Sequence, residues 1–268
     1  MSDRTVRLLW GPQPTPARGP KRTLDLDRIA RAGVEVADAE GLAELSMQQV
    51  AARLGVTKMA LYRYVPGKAE LVALMVDAAV GEYPEGGGFG GEGGPGGKGG
   101  SSSEGAASGA GWREALGEWG RQLFAVFGRH PWLLDATIGP RVMGPCELAW
   151  TERAVAALDG TGLSGAERMD AVVLLVGHVR GITQQGRAVG AGDSPEEQFG
   201  AVLGPLLREH GERFPALAAV FGEAAGANAE EGGAGSAGSA VQRDQAWEFG
   251  LERILDGLAV LIEGRRSR

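Results

Sequence analysis

The sequence predicts an all-α protein in two parts, an N-terminal three-helix helix-turn-helix module and a larger helical domain. Three observations carry this. Residues 45–68 read as two short helices around a tight glycine turn. After residue 112, apolar side chains return repeatedly at helical spacing. No stretch alternates apolar with polar residues over strand length.

The elements follow in order. Leu24 and Ile29 flank a helix start at Asp25 as a hydrophobic staple. Ile29, Ala32, Gly33, Val36 and Ala37 share one face of that helix, and Gly41 ends it. Ser46 is placed to cap the next helix, with Gln49 reaching back to it as in a capping box. Met47, Val50, Ala51 and Leu54 form its buried face, Gly55 supplies the turn and Val56 plugs the angle. Thr57 caps the second helix, whose Leu61 and Val65 face inward. Thr57, Lys58, Met59, Tyr62 and Arg63 are left outward, where an ordinary helical hairpin would carry Glu/Lys pairs. This is the form of a helix-turn-helix, whose second helix lies in the DNA major groove. Pro66-Gly67-Lys68 then breaks the chain before an amphipathic run through Leu71, Leu74, Met75 and Ala78. The module is about 60 residues long, so it is marginally stable alone.

Residues 24–80 resemble the DNA-binding domain of the TetR family of bacterial transcriptional repressors. The matching residues are Ile29-Ala30-x-Ala32-Gly33, Ala37-x-x-x-Gly41-Leu42-x-x-Leu45-Ser46, Val50-Ala51-x-x-Leu54-Gly55-Val56 and Leu61-Tyr62-x-Tyr64-Val65-x-x-Lys68-x-x-Leu71. The rest is similar to the family's all-helical ligand-binding domain more diffusely, in His130-Pro131-Trp132 and in Phe249 to Leu258. The resemblance implies that Ser46, Gln48, Tyr62, Tyr64 and Lys68 contact DNA, largely its phosphates. With the outward Thr57, Lys58, Met59 and Arg63, and with Arg22 ahead of the first helix, they make up the expected DNA-binding set. Met59 stands where the family more usually has a small residue or proline. The resemblance also implies a homodimer joined by a four-helix bundle, a pseudo-palindromic double-stranded operator, and release of DNA by a small effector.

The net charge of −7 argues against a generally adhesive nucleic-acid binder, so its distribution matters. Residues 1–83 hold 11 Lys/Arg and 10 Asp/Glu, a net +1; residues 84–268 hold the other 16 and 24, a net −8. Residues 1–23 are expected to be a flexible basic arm ahead of the DNA-binding domain at 24–83. Arg18, Lys21 and Arg22 cluster just before the first helix, where such an arm reaches phosphates or the minor groove; the bland reading is a soluble tail. The single cysteine, Cys146, cannot form an internal disulfide, which fits a reducing cytosol. No apolar run approaches the ~20 residues needed to span a bilayer, and no signal-peptide core opens the chain. A cytoplasmic protein with no membrane partner is expected.

Residues 84–111 contain 14 glycines and are expected to be a linker; 222–240 form a second Gly/Ala/Ser tract, expected as a low-complexity loop. Neither buries enough apolar surface to offset ordering entropy, so both are expected to be disordered or mobile. Gly88-Phe89-Gly90-Gly91-Glu92-Gly93 matches a dinucleotide fingerprint in letters only, since no strand precedes it and no helix starts there. Gly97-Lys98 is followed by Gly99 in place of Ser or Thr, so the P-loop pattern fails too.

The helical ligand-binding and dimerisation domain is expected over 112–264. Trp112, Leu116, Trp119, Leu123, Val126 and Phe127 form one stripe; Pro131 opens a short helix; 141–158 form another. Ser164-Gly165-Ala166-Glu167 is a second capping box, opening a long helix to about residue 189. A short helix at 196–208 and a last one at about 245–263 complete the domain. The two long helices carry surplus apolar surface, which suggests a second copy as partner; the alternative is that both are interior to the monomer.

For catalysis, no constellation converges: His130, His178 and His210 are far apart, and His-x-x-x-His, Gly-x-Ser-x-Gly and Cys-x-x-Cys are absent. No enzyme, metal or cofactor is implied. A pocket for a small hydrophobic or aromatic effector is expected among Trp112, Trp119, Phe127, Trp132, Met143, Trp150, His178 and Gln184, apolar walls with a few polar groups. The competing reading is an ordinary aromatic core with His178 hydrogen-bonded. Three functions stand at this point. They are a ligand-responsive repressor, a DNA-binding regulator without an effector, and a small-molecule-sequestering protein or enzyme on the same scaffold.

Overall fold

A computed structural model describes residues 3–11, 24–84, 111–188, 195–230 and 237–267. Every regular element among them is helical: α1 Asp3–Trp10, α2 Leu26–Glu40, α3 Met47–Arg53, α4 Lys58–Tyr62, α5 Lys68–Val80, α6 Trp112–Arg129, α7 Leu133–Ala136, α8 Pro145–Ala157, α9 Gly165–Ala188, α10 Pro195–His210, α11 Pro215–Glu230 and α12 Ala237–Arg266. The linker residues 85–110 and the basic cluster Arg18, Lys21 and Arg22 lie outside the described residues.

The caps read from the sequence shape the first half. Asp25 accepts the Arg28 N–H at 2.8 Å and starts α2. Gly41 ends it at φ +86°, and Gly55 makes the α3–α4 turn at φ +66°, backbone conformations that a side chain disfavours. Ser46 Oγ accepts from the Gln49 N–H at 3.3 Å and Thr57 Oγ1 from Ala60 at 3.2 Å. The reciprocal half of the first box differs from expectation. Gln49 Oε1 accepts the Ser46 hydroxyl, while its amide donates to Glu40. Ile29, Val50, Leu61, Val65, Leu71 and Met75 are fully buried and join α2 to α5 across the module.

Residues 3–10 correct the expectation of a flexible arm at the N-terminus. They form α1, which packs on α5 with Leu9 buried, and Trp10 Nε1 donates to the Met143 carbonyl at 3.0 Å. Leu9, with Leu8 packed beside it, makes the apolar contact, while Val6 and Trp10 stay exposed. The second tract differs too: α11 runs to Glu230 and α12 begins at Ala237, so helix extends into 222–240 from both sides. Alanine, the best helix former, is common there and offsets the glycines.

In the second domain α6 is the central helix, in contact with α8, α9 and α12. Its stripe of Trp112, Leu116, Trp119, Leu123, Val126 and Phe127 is buried throughout. Helix α8 starts at Pro145 and not at 141, because proline suits the first helical position and Gly144 precedes it in extended conformation. The α9 capping box is complete. Glu167 N–H donates to Ser164 Oγ at 3.3 Å, and Ser164 N–H to Glu167 Oε2 at 2.8 Å.

Glu167 also accepts from Arg265 of α12, tying the two long helices together. The Ser164 N–H first, then Arg265 and the Ser164 hydroxyl, hold its carboxyl down at about 2 against an ordinary 4.5. A carboxyl depressed on folding stabilises fully above its unfolded pKa, and that contribution is lost as pH falls through the folded value. Glu167→Gln should therefore be less stable than the natural chain by a constant amount above pH 4.5, with the difference vanishing toward pH 2. Urea unfolding over a pH series measures this. A gap that is unchanged between those limits would show that the carboxylate's charge plays no part.

Candidate functional site

Helix α4 and its flanks form the exposed end of the first module. Thr57, Lys58, Met59, Tyr62, Arg63 and Tyr64 are all exposed, Met59 most of all at 71%. Lys58 Nζ sits 5.6 Å from the Tyr62 ring centroid, a cation–π distance that keeps both side chains on one surface. On the adjoining edge Gln48 is exposed, and Ser46 is half-buried by its cap. Lys68 Nζ donates to the Leu42 and Ala43 carbonyls at 3.3 and 3.4 Å, so its charge is held where α5 begins beside the α2–α3 turn. Nine of the ten expected DNA-binding residues thus lie between Ser46 and Lys68, on α3, α4, their flanks and the start of α5. The tenth, Arg22, lies outside the described residues.

The expected effector residues are placed differently, distributed through the second domain. Trp119 and Trp150 meet with ring centroids 6.4 Å apart, and Trp119 Nε1 donates to the Trp150 carbonyl at 2.9 Å. Trp150 Nε1 donates in turn to Gly81 O at 3.0 Å, and Tyr83 lies edge-on to its ring. Trp132 Nε1 and His130 Nδ1 both bond one oxygen of Asp38, at 2.7 and 2.8 Å, joining the first module's α2 to the α6–α7 corner. Phe127 is buried beneath the Arg180 guanidinium, which itself donates to Leu134 O. Trp112 is buried, Met143 is half-buried and Gln184 is exposed.

His178 bridges α9 to α12. Its ring stacks on Trp247 at 4.8 Å, and Nε2 donates to the Trp247 carbonyl at 2.9 Å. Phe124 stacks on the same indole at 4.5 Å. Trp247 is absent from the expected set; its place four residues before the buried Leu251 is the only signal the sequence offers for it. A groove of about 250 Å³ lies where α5, α6 and α8 meet, with Val80, Gln122, Val126, Arg129 and Trp150 in its walls. Gln122 Oε1 is buried there without a hydrogen-bond partner. Among the described residues no three His, Cys, Asp or Glu side chains converge as metal ligands, and no helix is long and apolar enough to cross a membrane.

Two family models match the chain. The model of bacterial regulatory proteins of the tetR family covers residues 29–75, and that of the tetracyclin repressor-like C-terminal domain covers residues 105–262. The chain belongs to the TetR family. That membership makes it a transcriptional regulator and not an enzyme. It is 35% identical to the HTH-type transcriptional repressor DrrR1 of Streptomyces coeruleorubidus, over 98% of this chain and 88% of the relative. An HTH-type transcriptional regulator of Saccharopolyspora erythraea is 28% identical over 75% of this chain and 76% of its own length. Among solved structures, apo ActR from Streptomyces coelicolor superposes with a TM-score of 0.68 at 23% identity, covering 91% of this chain and 99% of that one. ActR in complex with (S)-DNPA gives 0.62 at 25% identity, covering 90% and 98%.

Within this TetR-family fold the α9–α12 contact is closely packed at Gly250. A β-carbon there would lie 2.2 Å from His178 Cε1 and 2.5 Å from Nε2. To make room, the imidazole would have to give up its bond to the Trp247 carbonyl and its stack on the indole. Gly250→Ala should destabilise by about 1–3 kcal/mol through overpacking, in spite of alanine's better helix propensity. Gly128→Ala, where the same atom meets nothing within 4 Å, should instead be neutral or stabilising. Equal effects of the two on urea midpoints would show that His178 is not held as described.

Proposed function

We propose that the chain is a homodimeric repressor that holds a pseudo-palindromic operator and is released from it by a small hydrophobic or aromatic effector. One observation carries the DNA half. The exposed end of α4 presents Lys58, Met59, Tyr62 and Arg63 with no other described element covering them. The named repressor among its relatives and the ligand complex of ActR support regulation by an effector. The dimer is supported by apolar side chains left exposed on the two long helices, Met169, Val173 and Leu174 on α9 and Phe249, Val260 and Leu261 on α12. Effector contacts are proposed around Trp119 and Trp150, whose neighbours include the groove lined by Gln122.

The test is operator binding by fluorescence anisotropy, using DNA from upstream of the protein's own coding sequence. Compounds that quench tryptophan fluorescence are then added to the complex. Specific binding that disappears at saturating compound is the expected result. Specific binding that survives every bound compound would leave a regulator without an effector. Absence of specific binding, with tight compound binding, would favour the sequestering reading.

A further inference from the structure

One face of α6 forms a wall of the groove. Gln122, Ala125, Val126 and Arg129 recur at the i, i+3, i+4 and i+7 spacing of a single helical face, and all four line it. Val80 and Gly81 at the end of α5 and Trp150 of α8 line it as well, so its walls are mostly apolar. Its volume of about 250 Å³ lies below the roughly 300–1,000 Å³ of drug-sized sites, which suits an occupant of one or two aromatic rings.

The groove is unequal in its hydrogen-bonding groups. Among the described residues the side-chain donors in its walls are engaged, Arg129 excepted, and Arg129 is exposed. Trp150 Nε1 donates to the Gly81 carbonyl at 3.0 Å. Gln122 Nε2 donates to Glu118 Oε1, one turn back on α6, at 2.7 Å. A carboxylate only accepts, so this bond decides which end of the amide meets Glu118 and leaves the oxygen as the other end. That oxygen is buried, and among the described residues nothing donates to it. Glu82, also in the wall, adds a carboxylate and therefore another acceptor.

We propose that this groove selects its effector by a hydrogen-bond donor. It takes a flat apolar ring bearing a phenolic O–H or an aryl N–H, with Gln122 Oε1 as acceptor and Glu118 as the positioning residue that orients the amide. The proposal rests on the effector reading above and names the class of compound. A buried amide oxygen without a partner is costly, and a donor that reaches it recovers the cost. The terminal torsion of glutamine is soft, so a small turn presents the oxygen to the groove. While the groove is wet, water can supply the donor. A compound that displaces this water with an ether or ketone oxygen sets two acceptors face to face and forfeits what the water gave. The groove thus sorts phenols and aryl amines from the ethers and ketones of the same skeleton, a distinction that shape alone does not make.

The experiment is a ligand-detected NMR titration of the full chain with two matched pairs, indole against 1-methylindole and 2-naphthol against 2-methoxynaphthalene. Within each pair the ring is kept and the donor is capped by a methyl group. The natural chain should bind indole and 2-naphthol about tenfold tighter, or more, than their methylated partners. Gln122→Leu removes the acceptor and should bring each pair to within about twofold, with affinity for the methylated compounds kept or raised. Gln122→Met, closer to glutamine in length, should do the same and serves should leucine disturb the packing of α6. Glu118→Gln frees the Gln122 amide to turn over, so the preference should shrink while all four compounds still bind. Equal affinities within both pairs for the natural chain overturn the proposal, and so does a preference that survives in both Gln122 variants. Binding of none of the four at millimolar concentration overturns it as well. The effector reading is judged separately, by operator anisotropy: compounds that fill the groove without releasing DNA count against that reading and leave the donor preference standing.

Discussion

Val173→Asp combined with Val260→Asp should give a folded monomer whose operator affinity falls by about a thousandfold, to the non-specific level. In the protomer these side chains are 64% and 70% exposed, so the substitutions disturb nothing within it. Around them α9 and α12 carry Gly177, Gly181, Gly257 and Gly264, at each of which a β-carbon would meet no atom within 4 Å. Open space at these glycines, beside the exposed valines, leaves room for close approach by another helix pair. In a two-fold dimer each substitution is present twice. Each buried valine contributes about 1.5–3 kcal/mol, and a carboxylate in its place adds a desolvation cost. Four such changes exceed what an interface of ordinary size can absorb. In the proposed dimer each five-residue α4 reads one half of the operator, so disrupting that dimer should remove most of the specific affinity. Sedimentation and anisotropy on the same sample test both steps. A dimer of unchanged stability would relocate the interface away from these helices.

The first module is legible in the sequence because its signals are local. Asp25, Ser46 and Thr57 bond backbone N–H groups three residues on, and Gly41 and Gly55 take the left-handed conformations that their neighbours require. Each of these can be read within one turn of helix. The second domain's chemistry is not local. Trp132 finds Asp38 94 residues away, Trp150 finds Gly81 69 away, and His178 finds Trp247 69 away. An indole N–H must find an acceptor when buried, but the sequence does not say which. The aromatic residues expected to surround one pocket are therefore spread over several joints, with Trp119 and Trp150 kept together. Helix α1 is hard to read for another reason. Its eight residues carry two arginines, and that charge masks the spacing of Leu9 and Trp10.

At the DNA surface, Lys58→Ala and Lys68→Ala should differ in kind. Lys58 is the first residue of α4, exposed beside Tyr62, and its ammonium meets no carboxylate among the described residues' ion pairs. On the proposed reading of α4 as the recognition helix, Lys58 donates to guanine O6 and N7, an interaction that discriminates by about 1–3 kcal/mol. Removing it should lower operator affinity by about 10- to 100-fold per half-site, while binding to unrelated duplex changes little. Lys68 has three N–H donors, and two are taken by the Leu42 and Ala43 carbonyls. The third suits a phosphate oxygen, and the two carbonyl bonds fix the ammonium in place before DNA arrives. Lys68→Ala should therefore weaken binding to every sequence and flatten the dependence of log K on log salt by about 0.9 for each phosphate left unneutralised. Both variants leave buried residues untouched, so their folding is expected to be intact. Affinities for operator and scrambled duplex at several salt concentrations separate the two roles. If Lys58→Ala weakened binding equally to both duplexes, the base-reading role would pass to Tyr62 or Thr57, and Lys58 would join Lys68 on the phosphates.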